Sequence, residues 1–384
     1  MTARGPGRYD RAVAAVRDAL RRAAAGFALL LGVFYPVAAD AASSTFIMGD
    51  QGVVSVWAGA RSIVTVKGWD RPNVQVDTDD EGVQITRRPI TFGTAQTPLS
   101  VSIPPIPIVV AGTGTRGTLP PEEFPYASDF RPGIHDSVRI VTGPDSHLTV
   151  MVPISTALLD TRIRGGSGII GIEDYHGGTL FVTSNGGRTL LTDVMTAAFV
   201  QMLNGRLEVI DSSFDRLRAR GNAANFVFEH DRARQIEVTT VSGPIVYDNG
   251  TFDPGLARFE SSSGSIGIGV ASNAQVAARS SEGRVYTLWD RRTPVELRGD
   301  NDVNAMIGGG GPVVNAVSGR GNVYVYDGAL ASRPVLPLEW RVIRQAITQP
   351  FAQRAPVGQR QQFQQPAPPQ PPAFQRFRAL RGRG

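Results

Sequence analysis

The chain has 384 residues, with 39 basic and 34 acidic side chains, a formal net charge of +5 and no cysteine. The lack of cysteine excludes disulfides, thiolate metal sites and cysteine catalysis. Because residues 1–41 carry +3 and residues 340–384 carry +8, the central part carries −6. A mildly acidic body argues against specific nucleic-acid binding.

The N-terminus has the pattern of a secretory signal. Arginines precede an apolar run from Ala23 to Val33, and Ala39-Asp40-Ala41 matches a small-x-small cleavage site. We therefore predict a signal peptide over residues 1–41, with an uncleaved anchor helix as the alternative. Export places the protein in the periplasm or at the cell surface, and a chain without cysteine is compatible with a bacterial envelope.

The next part of the chain divides into strands and an insertion. Alternating apolar residues predict short N-terminal solenoid strands within residues 42–88. Residues 89–136 are rich in Pro and Gly, and Pro104, Pro105 and Pro107 exclude a central strand there. We interpret this segment as an insertion, either a functional loop on a rigid scaffold or a disordered one.

A short phrase then returns through residues 137–333, in which a turn glycine is followed by alternating apolar residues. The turn glycines are Gly168, Gly187, Gly205, Gly243, Gly264, Gly283 and Gly321. They are about 19 residues apart, or twice that where a degenerate turn is expected, at Gly221-Asn222 and Asn301-Asp302. Each unit has room for two short strands. An array of such units buries a continuous core that no single unit could form, so we predict an all-β, single-stranded β-solenoid of roughly ten coils.

The C-terminal part, residues 334–384, has low complexity and is rich in Gln, Pro and Arg. Such a composition buries too little apolar surface to offset the entropy of ordering, so we predict a disordered tail. The alternative is a functional tether, in which the arginines contact anionic envelope polymer or lipid.

The order of the segments resembles a known family. Gly52 to Val56 forms a Gly-Val-x-x-Val strand, Val64 to Val74 reads Val-Thr-Val-Lys-Gly-Trp-Asp-Arg-Pro-Asn-Val, and the strand from Leu148 to Pro153 is followed by a turn at Ser167-Gly168. These phrases, followed by Ser-Gly-x-Ile-x-Ile units, resemble the bacterial adhesin-like proteins of the DUF4097 type. The resemblance implies an envelope-exposed β-solenoid, and the family carries no established catalytic residues to transfer.

Two acidic runs are the strongest candidates for chemistry. They are Glu173-Asp174-Tyr175-His176 and Glu229-His230-Asp231. Glycoside hydrolysis needs two carboxylates across a substrate, but neighbouring residues of one strand point to opposite faces. We therefore interpret both runs as polar turns between coils, and the same holds for turn aspartates 248, 253, 290 and 302.

Metal, cofactor and aromatic sites complete the search. The four histidines, at positions 135, 147, 176 and 230, lack metal-ligand spacing, and no phosphate or dinucleotide loop is present. We therefore predict no catalytic, cofactor-binding or metal residues. A recurring aromatic set is either an exposed ladder for sugar stacking or a buried stack. Its members are Tyr247, Tyr286, Trp289, Tyr324 and Tyr326.

The sequence thus favours a non-enzymatic cell-envelope scaffold or adhesin-like binding module. Its expected partner is an envelope polysaccharide or another surface protein. The first alternative is a polysaccharide-acting β-helix enzyme, a lyase or hydrolase, which requires carboxylates aligned on neighbouring coils in a groove. The second is an assembly protein that caps another solenoid, which requires open apolar end coils.

Overall fold

The structure, a computed structural model, describes residues 42–49, 51–92, 107–109, 116–118, 133–164, 166–288, 295–297, 300–328 and Gln345. The predicted signal peptide, most of the predicted insertion and nearly all of the predicted tail lie outside the described residues. The described part consists almost entirely of strands and turns, so the all-β class is confirmed.

The strands follow one another along the chain as β1 to β25. The first half comprises β1 (Ala42–Ile47), β2 (Val53–Ala58), β3 (Ile63–Trp69), β4 (Asn73–Thr78), β5 (Gln84–Phe92), β6 (Pro107–Val109), β7 (Arg116–Thr118), β8 (Gly133–Val141), β9 (His147–Pro153), β10 (Leu158–Ile163), β11 (Gly168–Glu173), β12 (Thr179–Ser184) and β13 (Gly187–Thr192). The second half comprises β14 (Met195–Ile210), β15 (Ser213–Glu229), β16 (Arg232–Thr240), β17 (Ile245–Phe252), β18 (Ala257–Ser261), β19 (Ile266–Val270), β20 (Ala274–Ser280), β21 (Val285–Leu288), β22 (Val295–Leu297), β23 (Asp302–Ile307), β24 (Val313–Ser318) and β25 (Val323–Asp327). β6 and β7 form a separate antiparallel pair, and the others belong to one large sheet.

Two parallel ladders form the body of the molecule. Ladder A contains, in spatial order, β8, β2, β10, β12, the first halves of β14 and β15, β16, β18, β24 and β20. Ladder B contains β9, β3, β11, β13, the second halves of β14 and β15, β17, β19, β25 and β21. In sequence, each ladder-A strand is followed across one corner by a ladder-B strand, and we call such a pair a rung.

The core lies between the two ladders. Alternate residues of each strand point inward, as the two-residue period of a strand requires. On β12 and β14, for example, Val182 and Val200 face the interior beside each other. The inward side chains of both ladders join in one continuous apolar cluster that includes Val54 near one end and Val325 near the other. Each rung therefore depends on its neighbours for burial.

In the middle of the ladders, the spatial order of the rungs follows the chain. Leu217 pairs with Ile236, and Phe226 pairs with Ile245, each 19 residues further along. The degenerate turn predicted at Gly221-Asn222 lies inside β15, where the chain passes from ladder A to ladder B. Ala224, three residues after Gly221, is the residue of β15 that is paired in register with the turn glycine Gly205.

The repeated glycines are explained by close approach at the corner between the ladders. A Cβ on Gly243 would lie 1.8 Å from the carbonyl oxygen of Ala224, and one on Gly264 would lie 2.1 Å from the carbonyl oxygen of Gly243. The next rung in space continues the pattern, because a Cβ on Gly321 would lie 2.3 Å from the carbonyl oxygen of Gly264. Each glycine therefore stacks directly on the peptide of the rung beneath it.

A hydroxyl group three residues before these glycines fastens the same corner. Ser261 Oγ donates to the carbonyl oxygen of Gly243 at 3.3 Å and accepts from the backbone N–H of Gly264 at 2.8 Å. Ser280 Oγ donates to the carbonyl oxygen of Gly321 at 2.8 Å, and the hydroxyl is completely buried. These hydroxyls satisfy backbone groups that the turn would otherwise leave unpaired.

At the C-terminal end, the spatial order of the rungs differs from their order along the chain. The rung of β24 and β25 lies between that of β18 and β19 and that of β20 and β21. β23 pairs antiparallel with β20, and β22 pairs antiparallel with β23. The expected parallel coil after Asn301-Asp302 is therefore wrong. Val303, Ala305 and Ile307 do face the core, but an alternating pattern buries the same side of a strand in either direction.

At the N-terminal end, the spatial order of the rungs also differs from their order along the chain. The rung of β2 and β3 lies between that of β8 and β9 and that of β10 and β11. Outside this end, β5 pairs antiparallel with β8, β4 pairs antiparallel with β9, and β1 continues beyond β4. Antiparallel strands thus close both ends of ladder A and one end of ladder B. The assembly alternative requires open end coils, and these three ends are not open.

Candidate binding face

A tryptophan surrounded by arginines lies on the outer side of ladder A. Trp57 points outward from β2, and the guanidinium carbons of Arg139, Arg162 and Arg164 lie 4.2, 5.2 and 4.1 Å from its ring centroid. The indole Nε1 donates to Asp160 Oδ2 at 3.3 Å, and Asp160 also accepts from Arg162 at 2.8 Å. The ring is therefore fixed in orientation by cation–π contacts and one hydrogen bond.

Two phenylalanines continue this outer side on the neighbouring strands. Phe181 on β12 and Phe199 on β14 occupy paired positions, and their rings stack with centroids 4.9 Å apart and an interplanar angle of 10°. Each ring is only 6 % exposed although it faces away from the core. The parallel register thus lines up rings from separate rungs.

Arginines follow the phenylalanines along the same rows. Arg218 on β15 is paired in register with Phe199. Arg218 and Arg220 approach Glu237 at 3.0 and 3.5 Å, and Arg216 Nε donates to Gln235 at 2.9 Å. These interactions cross from β15 to β16 and hold the guanidinium groups extended over the sheet.

A small cavity of about 20 Å³ lies between these side chains. Its outward lining residues are Phe181, Thr183, Phe199, Gln201, Arg218 and Arg220. We define the binding face as the outward residues Arg139, Trp57, Arg162, Phe181, Phe199, Arg218 and Arg220, which lie in two adjacent rows of ladder A. Guanidinium groups form paired hydrogen bonds to carboxylates, sulfates and phosphates, and aromatic rings pack against apolar ring faces. The guanidinium groups of the face therefore have the chemistry to hold an anionic ligand, beside two stacked rings that are themselves almost fully buried.

The sequence contains a signal for this face that the turn glycines alone do not reveal. Phe181, Phe199 and Arg218 occupy one repeat position, 18 and 19 residues apart. Phe181 and Phe199 each precede a turn glycine by six residues, and Arg218 precedes Ala224, which occupies the glycine position of its rung, by the same number. The tyrosines that follow the glycines belong to ladder B instead; these are Tyr247, Tyr286, Tyr324 and Tyr326.

The aromatic set considered in the sequence is mostly buried. Tyr247 lies in the core, and Tyr324 and Tyr326 are 1 % and 0 % exposed on the outer side of ladder B. Tyr286 stacks on Tyr324 with centroids 5.2 Å apart. The buried alternative is therefore the correct one for these three buried tyrosines, whereas Trp289 lies outside the described residues.

The first acidic run is dispersed over the end of a rung. Glu173 pairs with Lys67 at 2.8 Å, while Tyr175 is fully buried and desolvation raises the pKa of its hydroxyl. The Nε2 atom of His176 lies 3.2 Å from the carbonyl oxygen of Asp193. The four side chains face different surroundings and form no common site.

The residues of the second acidic run also lie in different surroundings. His230 occupies a corner with φ of 60°, and Asp231 is 2 % exposed. The backbone N–H of Ser212 donates to Asp231 Oδ1 at 2.8 Å, whereas Oδ2 has no hydrogen-bond partner among the described residues. Burial raises the pKa of Asp231 well above its ordinary value, against the opposing hydrogen bond from Ser212. Keeping this carboxyl group ionised in the interior is therefore unfavourable.

One pair of carboxylates does lie on neighbouring rungs. Glu229 on β15 and Asp248 on β17 are paired in register on the outer side of ladder B. Asp248 is 3 % exposed and accepts a hydrogen bond from the hydroxyl of Tyr326. It is therefore sealed beneath a tyrosine instead of opening into a groove, as the enzyme alternative would require.

The remaining turn aspartates have structural surroundings. Asp253 accepts from Arg232 at 2.8 to 3.0 Å, and Asp302 begins β23, whereas Asp290 lies outside the described residues. Within the described ranges, no group of three or more His, Cys, Asp or Glu is placed to hold a metal ion. No helix in this same part of the chain is long and apolar enough to cross a membrane.

Comparisons with known proteins give little further information. No family model matches the chain, and no curated protein matches it. A solved structure of a candidate cell adhesion protein from Clostridium sporogenes matches with 9 % identity and a TM-score of 0.25, over 75 % of this chain and 100 % of the other. A TM-score this low does not establish a shared fold. The resemblance to the DUF4097-type family therefore stays a hypothesis.

Proposed function

We propose that the protein is a non-enzymatic β-solenoid of the bacterial cell envelope whose binding face holds an anionic polymer, in the manner of an adhesin-like module. The observation that carries this proposal is the cluster of outward aromatic rings and guanidinium groups on ladder A, which occupies two adjacent rows together with Asp160. The two stacked ladders with a recurring 19-residue register support the solenoid interpretation.

The dimensions of the binding face favour a polymer over a small molecule. From β8 to β15 the face crosses five strand spacings, which at ~4.8 Å each gives about 24 Å. Guanidinium groups stand at both ends, with Arg139 at one end and Arg218 and Arg220 at the other. A chain that carries repeated carboxylate or sulfate groups could contact both ends at once.

Binding by the full chain to polygalacturonate, with neutral dextran as the reference, tests the proposal. We expect the double variant Arg218→Ala/Arg220→Ala to bind polygalacturonate about tenfold or more weakly, because two charge-assisted contacts are lost. The matched control is Arg61→Ala/Arg320→Ala, which removes two exposed, ion-paired arginines at the corners. The control should keep wild-type affinity, and both variants retain the same basic tail.

Release of reducing ends is recorded in the same assay. Binding without release supports the binding module. Cleavage of the polymer would contradict it and would support the alternative of a polysaccharide-acting enzyme. Equal loss of affinity in the two double variants would show that the protein binds through its overall charge, not through the binding face.

A further inference from the structure

A second cavity lies at the N-terminal end of ladder A, on its outer side. It has a volume of about 270 Å³ and is lined by Thr86, Arg88 and Pro89 of β5 and by Ser137 and Arg139 of β8. Ligand sites begin at roughly 300 Å³, so this cavity approaches the size of a small-molecule site. The cavity of about 20 Å³ beside the stacked phenylalanines has room for little more than a water molecule.

The antiparallel register of β5 and β8 brings four polar side chains together at this cavity. Ile140 is fully buried in the core, so Arg139 and Ser137, which alternate with inward residues, point outward. The register places Thr86 opposite Arg139 and Arg88 opposite Ser137. The four side chains therefore share one face of the strand pair, with a hydroxyl group and a guanidinium group on each strand.

The two guanidinium groups have no negative partner in the described part of the chain. Arg88 and Arg139 occupy diagonal positions, which are about 7–8 Å apart at the backbone, and both side chains are exposed. The carboxylate of Asp136 pairs with Arg87 at 3.2 Å. Because these two residues alternate with Ser137 and Arg88 along their strands, that ion pair belongs to the opposite face. Two positive charges thus face the cavity together.

Arg139 is also held in place for a ligand. Its guanidinium carbon lies 4.2 Å from the ring centroid of Trp57. Stacking of this kind uses the flat face of the guanidinium group and leaves the N–H donors at its edge available. A side chain that is already restricted loses less conformational freedom when a ligand binds. The carboxylate of Asp160 accepts hydrogen bonds from Trp57 and Arg162, so it is already occupied.

We propose that the cavity formed by Thr86, Arg88, Ser137 and Arg139 binds a tetrahedral dianion, either a free phosphate ion or the phosphate group of a monoester. A carboxylate carries one charge and two oxygens, which a single guanidinium group can match. A phosphate group carries close to two charges and at least three strong acceptor oxygens. It can therefore balance both guanidinium groups and accept from both hydroxyl groups at once. The site shares Arg139 with the binding face and does not otherwise rest on the proposed function.

Phosphorus NMR of the full chain tests the proposal, because the line widths of inorganic phosphate and of methyl phosphate report weak binding directly. Acetate and sulfate are added as competitors at constant ionic strength, which limits binding to the basic tail. The test variants are Arg88→Ala and Arg139→Ala. The matched control is Arg71→Ala, which also removes one exposed guanidinium group, in this case one that lies 5.1 Å from the ring centroid of Trp69.

We expect Arg88→Ala and Arg139→Ala each to weaken phosphate binding about tenfold, because one charge-assisted contact is lost. Arg71→Ala should bind phosphate as the wild type does, and sulfate should compete more strongly than acetate. Equal binding of inorganic phosphate and methyl phosphate would support a site for a phosphate monoester, and binding of inorganic phosphate alone would support a site for the free ion.

Three results would overturn the proposal. These are unchanged phosphate binding in Arg88→Ala, an equal loss in Arg71→Ala, and competition by acetate that is as strong as competition by sulfate. Arg88 lies outside the binding face, and polygalacturonate binding is judged by Arg218→Ala/Arg220→Ala. Failure of the phosphate site is therefore distinguishable from failure of the proposed function.

Discussion

The middle of the molecule and its C-terminal end are built from the same rungs but are assembled differently. Between β10 and β19, each rung stacks on the one that precedes it in the chain. At the C-terminal end, β24 and β25 stack on β18 and β19, and the earlier β20 and β21 are displaced outward. The repeat period thus predicts how many residues each rung contains, but it does not predict which rung lies next to it in space.

The glycine corner shows that both regions nevertheless obey the same packing rule. A Cβ on Gly243, in the middle, would clash with Ala224, and a Cβ on Gly321, at the end, would clash with Gly264. The inserted rung therefore approaches its neighbour as closely as the rungs in the middle do. Two predictions test how far this equivalence extends, and a third, with the smallest effect, concerns a group that belongs to the middle alone.

The largest effect is expected at the glycine corner. Gly243→Ala should lower the free energy of unfolding by about 3 kcal/mol or more, because the new Cβ must displace a backbone carbonyl. Gly321→Ala should cost a similar amount if the inserted rung packs equally well. The measurement is equilibrium denaturation. The control is Gly171→Ala, where the nearest atom to a Cβ is 4.0 Å away and little change is expected.

A smaller effect is expected at the buried hydroxyl groups. Ser261→Ala, in the middle, and Ser280→Ala, at the end, should each lower the free energy of unfolding by about 1–3 kcal/mol, since a buried carbonyl and N–H lose their partner. Ser263→Ala serves as control, because this exposed hydroxyl makes one hydrogen bond at the surface. Equal denaturation midpoints for Ser261→Ala and Ser263→Ala would contradict the assigned role.

The smallest effect concerns Asp231, a feature of the middle only. Burial raises the pKa of this carboxyl in the folded state, so the folded protein retains a proton that the unfolded chain releases near its ordinary pKa. Stability should therefore fall as the pH rises from about 4 through the folded-state pKa. Asp231→Asn keeps an acceptor for Ser212 and removes the charge. Its melting temperature should exceed that of the wild type by a few degrees at pH 8 and by little at pH 4. Equal melting temperatures of Asp231→Asn and the wild type at both pH values would show that burying this carboxyl does not lower the stability of the folded protein.

Much of the local structure could be predicted from sequence. The turn glycines and the alternation after them correctly predicted β11, β13 and β17, whereas the turn position of β15 is Ala224, three residues after the predicted Gly221. The reason is that chain geometry fixes both signals: a glycine is needed where peptides stack, and an apolar residue is needed at every inward position.

The order of the rungs could not be predicted in the same way. β23 has the inward alternation of Val303, Ala305 and Ile307 that a parallel coil would also have, so its antiparallel direction is invisible in the pattern. The binding face required knowledge of the register between strands, because Phe181 and Phe199 become neighbours only when their rungs stack. Burial on the outer side of ladder B was likewise hidden, since an outward tyrosine in sequence gives no sign that it is covered.

The most direct test of the two-ladder account is a pair of engineered disulfides at the C-terminal end. The registers place position 263 beside position 320 on adjacent rungs and position 282 on the far side of 320. Adjacent parallel strands are ~4.8 Å apart, within the Cα range of a disulfide, whereas two spacings, about 10 Å, are beyond it. Under oxidation, Ser263→Cys/Arg320→Cys should therefore crosslink and Ser263→Cys/Glu282→Cys should not. Efficient crosslinking of 263 to 282, without crosslinking of 263 to 320, would show that the rungs stack in chain order and would contradict the account.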